Sequence, residues 1–270
     1  MYRRFETVLV VLLVTTAGCV GGFGDLLGDG ADSANDGDTG GAGGEDGASS
    51  GGANADGAGG DGTLANRTAV LVDAGSYTST WRMTVTEGGV VSGTAYTSAV
   101  DFETERSYFR SDQTSDGETT AGWEVYHAEA TTYNRYGEGE SASYVVGEGP
   151  FTGTTPFDAG SYVTGGDDLS EFDRTGRTTF DGVEVTRYVL TERPGWVAAQ
   201  QLAEGEVRWT DFEFEVLVDD DGVVRAERWT ATGTQDGETV VMEFSYEVTG
   251  IGSTTVDEPA WVATSREQAA

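Results

Sequence analysis

The sequence has no lysine, and it has only one cysteine, one histidine and four prolines. Zinc sites built from two histidines or from two cysteines are excluded by these counts. A Ser–His–Asp arrangement would have to use His127, which lies in a strand-like run where histidine is commonly just a residue of the sheet surface. We therefore expect no enzyme activity, no metal site and no cofactor.

Positive charge is scarce. The chain has 47 acidic and 15 basic residues, a formal net charge of −32, and every basic residue is arginine. A polyanion would need a basic stripe, so the composition argues against nucleic-acid binding. In dilute salt the carboxylates repel one another, whereas at molar salt the Debye length falls to about 3 Å. An acidic chain without lysine is typical of haloarchaeal proteins, and we interpret it as halophilic.

The single cysteine follows an N-terminal leader. Arg3 and Arg4 precede the apolar run Val8–Val14, which is too short to span a bilayer. The segment Thr16-Ala17-Gly18-Cys19 resembles the lipobox of prokaryotic lipoproteins. This resemblance implies a signal peptide over residues 1–18, lipid attachment at Cys19, and a protein anchored in the cell membrane and facing the extracellular side. The alternative is an ordinary cleaved signal peptide beside an incidental cysteine.

Differences in composition divide the remainder of the chain into a tether, a folded domain and a short tail. Residues 19–62 are rich in Gly, Asp, Ala and Ser, and we predict a disordered tether there. The sequon Asn66-Arg67-Thr68 makes Asn66 a candidate glycosylation site at the edge of the folded part. A β-rich domain is predicted over residues 63–263, followed by a C-terminal tail over 264–270.

Apolar residues in the predicted domain recur with period two. This alternation predicts half-buried antiparallel strands around Tyr77–Thr86 and over Thr210–Val218, Val223–Thr232 and Glu238–Thr249. Asp-Gly pairs between such runs, as at Asp181-Gly182, are typical of tight hairpins. Only Leu64–Ala74 and Gly195–Glu204 have a helical pattern.

Several large side chains fall on the apolar phase of these strands. The simplest interpretation is that they form the core under the two helices. The alternative is that they line a cleft for an apolar ligand, in which case an apolar pocket of roughly 300 Å³ or more is expected. The candidate lining residues are Trp81, Met83, Val85, Phe212, Phe214, Met242, Phe244 and Tyr246.

The run Thr178–Tyr188, the turn Asp219-Asp220-Asp221-Gly222 and the strand Val240–Tyr246 carry a further resemblance. They look like the C-terminal half of haloarchaeal lipoproteins related to the carriers LolA and LolB and to LppX and LprG. The resemblance implies a mainly β fold: an open, curved antiparallel sheet, or half-barrel, with a few short helices on its concave side. It also implies lipid or acyl-chain binding in the hollow.

Three functions are compatible with these observations. The first is a lipid-anchored surface protein that binds a lipid or another apolar molecule, with the membrane as its other partner. The second is a structural or interaction lipoprotein of the cell envelope with a fully packed core and no ligand. The third is a hydrolase using acidic residues, which would require His127 to cluster with a serine and a buried carboxylate. The sequence gives no oligomeric state.

Membrane retention should depend on Cys19. Because the rest of the N-terminal segment has no other means of holding a membrane, a Cys19→Ser precursor should be released or accumulate unprocessed. Fractionation of cells into membrane and soluble material measures this. If the Cys19→Ser protein still sediments with membranes after its signal peptide is cleaved, the lipoprotein interpretation is contradicted.

Stability should depend strongly on salt. We expect the domain to lose cooperative structure well below molar salt, because unscreened carboxylates then repel across its surface. Circular dichroism melting between about 3 M and 0.1 M NaCl tests this, since screening changes most over that range. A melting temperature that stays constant would remove the argument for halophily.

Overall fold

The computed structural model describes residues 64–153, 162, 169–193 and 207–269. Within them, eleven strands and two α-helices follow one another, with a 3₁₀ turn at Gly139–Ser141. The helices are α1 (Arg67–Asp73) and α2 (Trp261–Ala269). The strands are β1 (Ser76–Glu87), β2 (Val90–Asp101), β3 (Arg106–Ser115), β4 (Glu118–Ala128), β5 (Thr131–Tyr136), β6 (Ser143–Glu148), β7 (Asp173–Phe180), β8 (Val183–Leu190), β9 (Arg208–Asp219), β10 (Val224–Gln235) and β11 (Glu238–Thr249).

All eleven strands form one open, curved antiparallel sheet in the order β6-β5-β4-β3-β2-β1-β11-β10-β9-β8-β7. Two meanders, β1 to β6 and β7 to β11, meet where β1 pairs with β11. Since β6 and β7 lie at opposite edges, the sheet does not close on itself. The fold class predicted from the sequence is thereby confirmed.

Several hairpins use the predicted turn residues. Asp181 and Gly182 have φ of 49° and 77°, and Asp236 and Gly237 have φ of 52° and 89°. Positive φ at both central residues is the geometry that tight hairpins require. The turn after β9 differs, because Asp219 stabilises it. Its Oδ1 accepts the N–H groups of Asp221 (3.1 Å) and Val223 (2.9 Å), and its Oδ2 accepts from Arg225 Nε (2.6 Å).

Strand pairing assigns every side chain to one of two faces, since directly paired residues point the same way. We call the face that carries Trp81 the front face and the opposite one the back face. Helix α1 lies on the front face, where the Arg67 guanidinium carbon stands 4.7 Å from the centre of the Tyr246 ring. Helix α2 lies on the back face, where Trp261 and Val262 pack with Tyr126 and Tyr133 of β4 and β5.

The helices depart from the prediction in two respects. The sequence predicted short helices on one side of the sheet, but the two described helices lie on opposite faces. The tail predicted over 264–270 belongs instead to α2 as far as Ala269, with Ser265 buried and Arg266 paired to Glu258 at 2.6 Å. Predicted helix Gly195–Glu204 lies outside the described residues. None of the described helices is long and apolar enough to cross a membrane.

Candidate ligand-binding face

A row of large side chains crosses the front face at one level. Trp81 pairs directly with Tyr96 on one side and with Tyr246 on the other. The same row continues through Ser111 of β3 to Trp123 of β4 and Tyr136 of β5. Rings contact one another at both ends of the row, with centroid separations of 4.9 Å for Trp81–Tyr96 and 6.1 Å for Trp123–Tyr136. Phe109 of β3 joins the two ends, because its ring centroid lies 5.9 Å from that of Tyr96 and 5.2 Å from that of Trp123. The front face therefore carries a continuous aromatic band across these strands.

On β9 to β11, other side chains cover the aromatic residues of the front face. Phe244 is 3% exposed, and its ring contacts Tyr162 at 4.8 Å and Trp229 at 5.7 Å between centroids. Phe212 and Phe214 are also buried, with Phe172 packed on Phe214 at 5.4 Å. Contacts of this density make this half of the front face a hydrophobic core.

The other half, from β1 to β5, is less completely covered by the described residues. Trp81, Tyr96 and Trp123 are half-buried, and Tyr136 is 40% exposed. Both halves belong to the same face of the sheet. Strand pairing decides only which face a side chain is on, so the difference in exposure comes from the segments that cover one half. Apolar area that stays partly accessible is what a ligand could bury.

All eight candidate lining residues from the sequence lie on the front face. Five of them are buried: Phe212, Phe214, Met242, Phe244 and Tyr246. Trp81, Met83 and Val85 are half-buried. Sequence reasoning missed Tyr96, Trp123 and Tyr136, because most of their neighbours on the front face of β2 to β5 are polar residues instead of aliphatic ones.

A buried ion pair lies beside the aromatic band. Glu227 is fully buried, and its Oε1 lies 3.7 Å from Arg67 Nη1. Its other oxygen accepts the backbone N–H of Tyr162 at 2.9 Å. The pair ties α1 to β10 and was not predicted. The signal was present, since Glu227 occupies the same phase as Trp229 and Ala231, where the strand otherwise points apolar groups inward.

His127 lies at one end of the β1–β5 half. It is buried, its Nδ1 lies 3.0 Å from Thr132 Oγ1, and its ring centroid is 5.6 Å from that of Phe151. Burial lowers the pKa of this histidine below its usual value, which favours the neutral ring. Among the described residues, the hydrogen-bond partner of its Nδ1 is the Thr132 hydroxyl and not a carboxylate.

The remaining candidate positions are the sequon, the lipid-attachment cysteine and possible metal ligands. Asn66 is exposed and caps α1, its Oδ1 accepting the N–H of Ala69 at 3.2 Å. Cys19 lies outside the described residues. Among the described residues no group of three or more metal-ligating side chains could hold an ion. Asp219 serves the turn after β9, as described above.

A depression of about 330 Å³ is present on the sheet, but it is not an apolar pocket. It is lined by charged and hydroxyl groups of the back face, together with Phe244. The lining residues are Arg82, Thr84, Arg228, Thr230, Glu243, Phe244 and Ser245. A ligand on the aromatic band would not occupy it.

Comparison with known proteins gives one family. The model of a family of unknown function, DUF7537, matches residues 4–265. No curated protein matches the chain.

Solved structures resemble the chain only distantly. LprF from Mycobacterium bovis is 12% identical with a TM-score of 0.29, over 72% of this chain and 95% of that one. A putative outer membrane lipoprotein-sorting protein domain from Vibrio parahaemolyticus is 10% identical with a TM-score of 0.22, over 72% and 91%. A DUF1329 family protein from Desulfovibrio piger is 12% identical with a TM-score of 0.21, over 73% and 97%. Likenesses this low carry no argument about function.

Removing the buried carboxylate of Glu227 should destabilise the fold. We expect Glu227→Ala to lower the free energy of unfolding by about 3–5 kcal/mol, because it removes the buried carboxylate that pairs with Arg67 and accepts the Tyr162 N–H. Urea unfolding in molar salt measures the loss. Glu238→Ala, an exposed glutamate of β11, is the control and should change stability by less than about 0.5 kcal/mol. Equal effects of the two substitutions would mean that the ion pair does not stabilise the fold.

Proposed function

The chain belongs to DUF7537, a family of unknown function, and on that premise we propose that it is a lipid-anchored extracellular protein whose front face binds an apolar ligand. The observation that carries the proposal is the half-buried aromatic band from Trp81 to Tyr136. Contiguous aromatic surface that a protein keeps accessible commonly marks a binding site. The predicted non-enzymatic character and the lipid on Cys19 are parts of the same proposal.

The packed half of the sheet supports binding indirectly. Phe212, Phe214, Trp229 and Phe244 supply the core that holds β9 to β11 in place. Pairing of β1 with β11 over ten residue pairs then fixes the strands of the β1–β5 half against that core. A site held by a rigid sheet needs little reordering when a ligand binds, which favours affinity.

The proposed anchor joins the fold at its N-terminal end. Leu64 is buried, and the Ala65 N–H donates to the Gly222 carbonyl at 2.9 Å. Helix α1 follows at once and packs on the front face. Residues 19–62, the predicted tether, would reach roughly 35 Å as a flexible chain, enough to hold the domain clear of a membrane surface.

A second candidate is an envelope interaction protein without a ligand. It is favoured by the burial of five of the eight predicted lining residues, Phe244 among them. The two candidates differ in what the β1–β5 half does, because the β9–β11 half is core in both. A test therefore has to compare one aromatic residue from each half.

Trp81 and Phe244 provide that comparison. We expect Trp81→Ala to weaken binding of the neutral dye N-phenyl-1-naphthylamine by roughly tenfold, since about 60 Å² of lost apolar contact at about 25 cal/mol per Å² corresponds to that factor. Phe244→Ala should instead lower the free energy of unfolding by about 3–5 kcal/mol, as expected for a core phenylalanine. Dye fluorescence and urea unfolding, both in molar salt, measure the two effects.

Tyr144→Ala is the control for dye binding. Tyr144 is a half-buried aromatic residue of the back face, so its loss should leave the dye affinity unchanged. Wild-type protein that takes up no dye, or a Trp81→Ala variant that binds it as well as the wild type, would favour the interaction protein without a ligand.

A further inference from the structure

The front face of β1 to β5 carries no charged side chain between the strand ends, although the chain has a net charge of −32. Glu87 and Glu118 mark one end of this region. The charged residues of the same strands point to the back face: Arg82, Arg110, Asp112, Glu124 and Arg135. Alternation alone would allow charges on both faces, so their confinement to one face is a property of this sequence.

Neutral polar groups take the place of charges on this half of the front face. Ser79, Thr94, Ser98 and Ser111 are all buried there, beside the aromatic rings. The β9–β11 half has phenylalanine, methionine, alanine and valine at most of the corresponding positions. The two halves therefore differ in chemistry as well as in exposure: one is apolar except for Glu227, and the other combines aromatic rings with hydroxyl groups.

Two of the buried polar atoms have no hydrogen-bond partner among the described residues. They are Ser98 Oγ on β2 and His127 Nε2 on β4. Both side chains are more than nine-tenths buried. Phe109 of β3 lies between them, since it pairs with Ser98 and lies two residues from Ser107, the partner of His127. Buried polar atoms are nearly always bonded, so these two call for a group that the described residues do not supply.

We propose that the β1–β5 half of the front face binds the uncharged, hydroxyl-bearing part of an amphiphile, the class that includes glycosylated lipids. The proposal rests on the proposed function and names its ligand class. A molecule with several hydroxyl groups, each able to donate and to accept, can bond Ser98 through one group and either tautomer of His127 through another. The half-buried rings of Trp81, Tyr96 and Trp123 would cover the apolar surface of the same molecule.

An anionic head group fits this surface poorly. No cation faces it among the described residues of β1 to β5, and Arg67, over Tyr246 of β11, is neutralised by Glu227. Burial of an anion without a partner is unfavourable. Where a site offers hydrogen bonds to hydroxyl groups, an analogue that lacks them leaves the site's polar atoms unpaired and is rejected.

Two octyl compounds distinguish these chemistries. Titration calorimetry of the full-length chain in molar NaCl should show n-octyl β-D-glucoside binding at least tenfold more tightly than sodium octyl sulfate, both below their micellar concentrations. The Ser98→Val and His127→Phe variants should each weaken glucoside binding by about fivefold, the value of one neutral hydrogen bond. Neither should change octyl sulfate binding. Ser245→Val, the same substitution on the back face of β11, should change neither affinity.

The titrations distinguish the proposed ligand class from the proposed binding of an apolar ligand. Equal binding of the two compounds, or tighter binding of octyl sulfate, would overturn the ligand class while leaving apolar-ligand binding intact. Binding of neither compound would overturn both. Unchanged glucoside affinity in both variants would show that water satisfies Ser98 and His127, and would also overturn the ligand class. If Ser98→Val fails to fold cooperatively, Ser98→Ala removes the same hydroxyl without added volume and gives the same test.

Discussion

The pairing of β1 with β11 is the interaction on which the rest of the structure depends. It joins residues near positions 80 and 245, so it closes most of the chain into one loop. Without it, β1 to β6 and β7 to β11 would be two separate meanders, each with an extra unpaired edge. The register aligns Trp81 with Tyr246 and Met83 with Phe244. A slip of one residue would move every β1 side chain to the other face.

The sequence predicted the strands best where aliphatic and aromatic residues alternate with charges. The strands β9 to β11 and their Asp-Gly turns match the predicted bounds closely, because Phe212, Val240 and their neighbours give an unambiguous period of two. Leu64–Ala74 contains α1, whose N-cap is Asn66. The C-terminal helix was missed because Trp261 and Val262 are followed by mostly polar residues, and their burial depends on Tyr126 and Tyr133, which are distant in sequence.

The candidate site was predictable in part. Alternation identified the face on which Trp81, Met83 and Phe244 lie, since period-two patterning fixes which side chains share a face. It did not indicate which half of that face is covered, because coverage comes from residues such as Tyr162 that belong to other segments. Glu227 shows the same limit: a carboxylate in an apolar phase is recognisable, but its partner Arg67 lies 160 positions away along the chain.

The back face shows how an acidic protein uses few cations. Arg187 lies near Glu213 and Glu215, and Arg228 pairs with Glu215 and Glu247, so single guanidinium groups serve several carboxylates. A planar guanidinium with five donors suits this sharing better than an ammonium group does. Exposed pairs of this kind contribute little individually. Their effect is to offset part of the local repulsion on a surface that still carries a large excess of negative charge.

The central place of β1 has a mechanical consequence. The chain enters the fold through α1 and runs directly into a strand of twelve residues that is hydrogen-bonded on both sides, to β2 and to β11. An edge strand can peel away from a sheet one bond at a time. Force applied along β1 from its N-terminal end would instead act on two ladders in shear, and many hydrogen bonds would have to break together. A domain held by its N-terminal segment would thus be attached through a long strand that is paired on both sides.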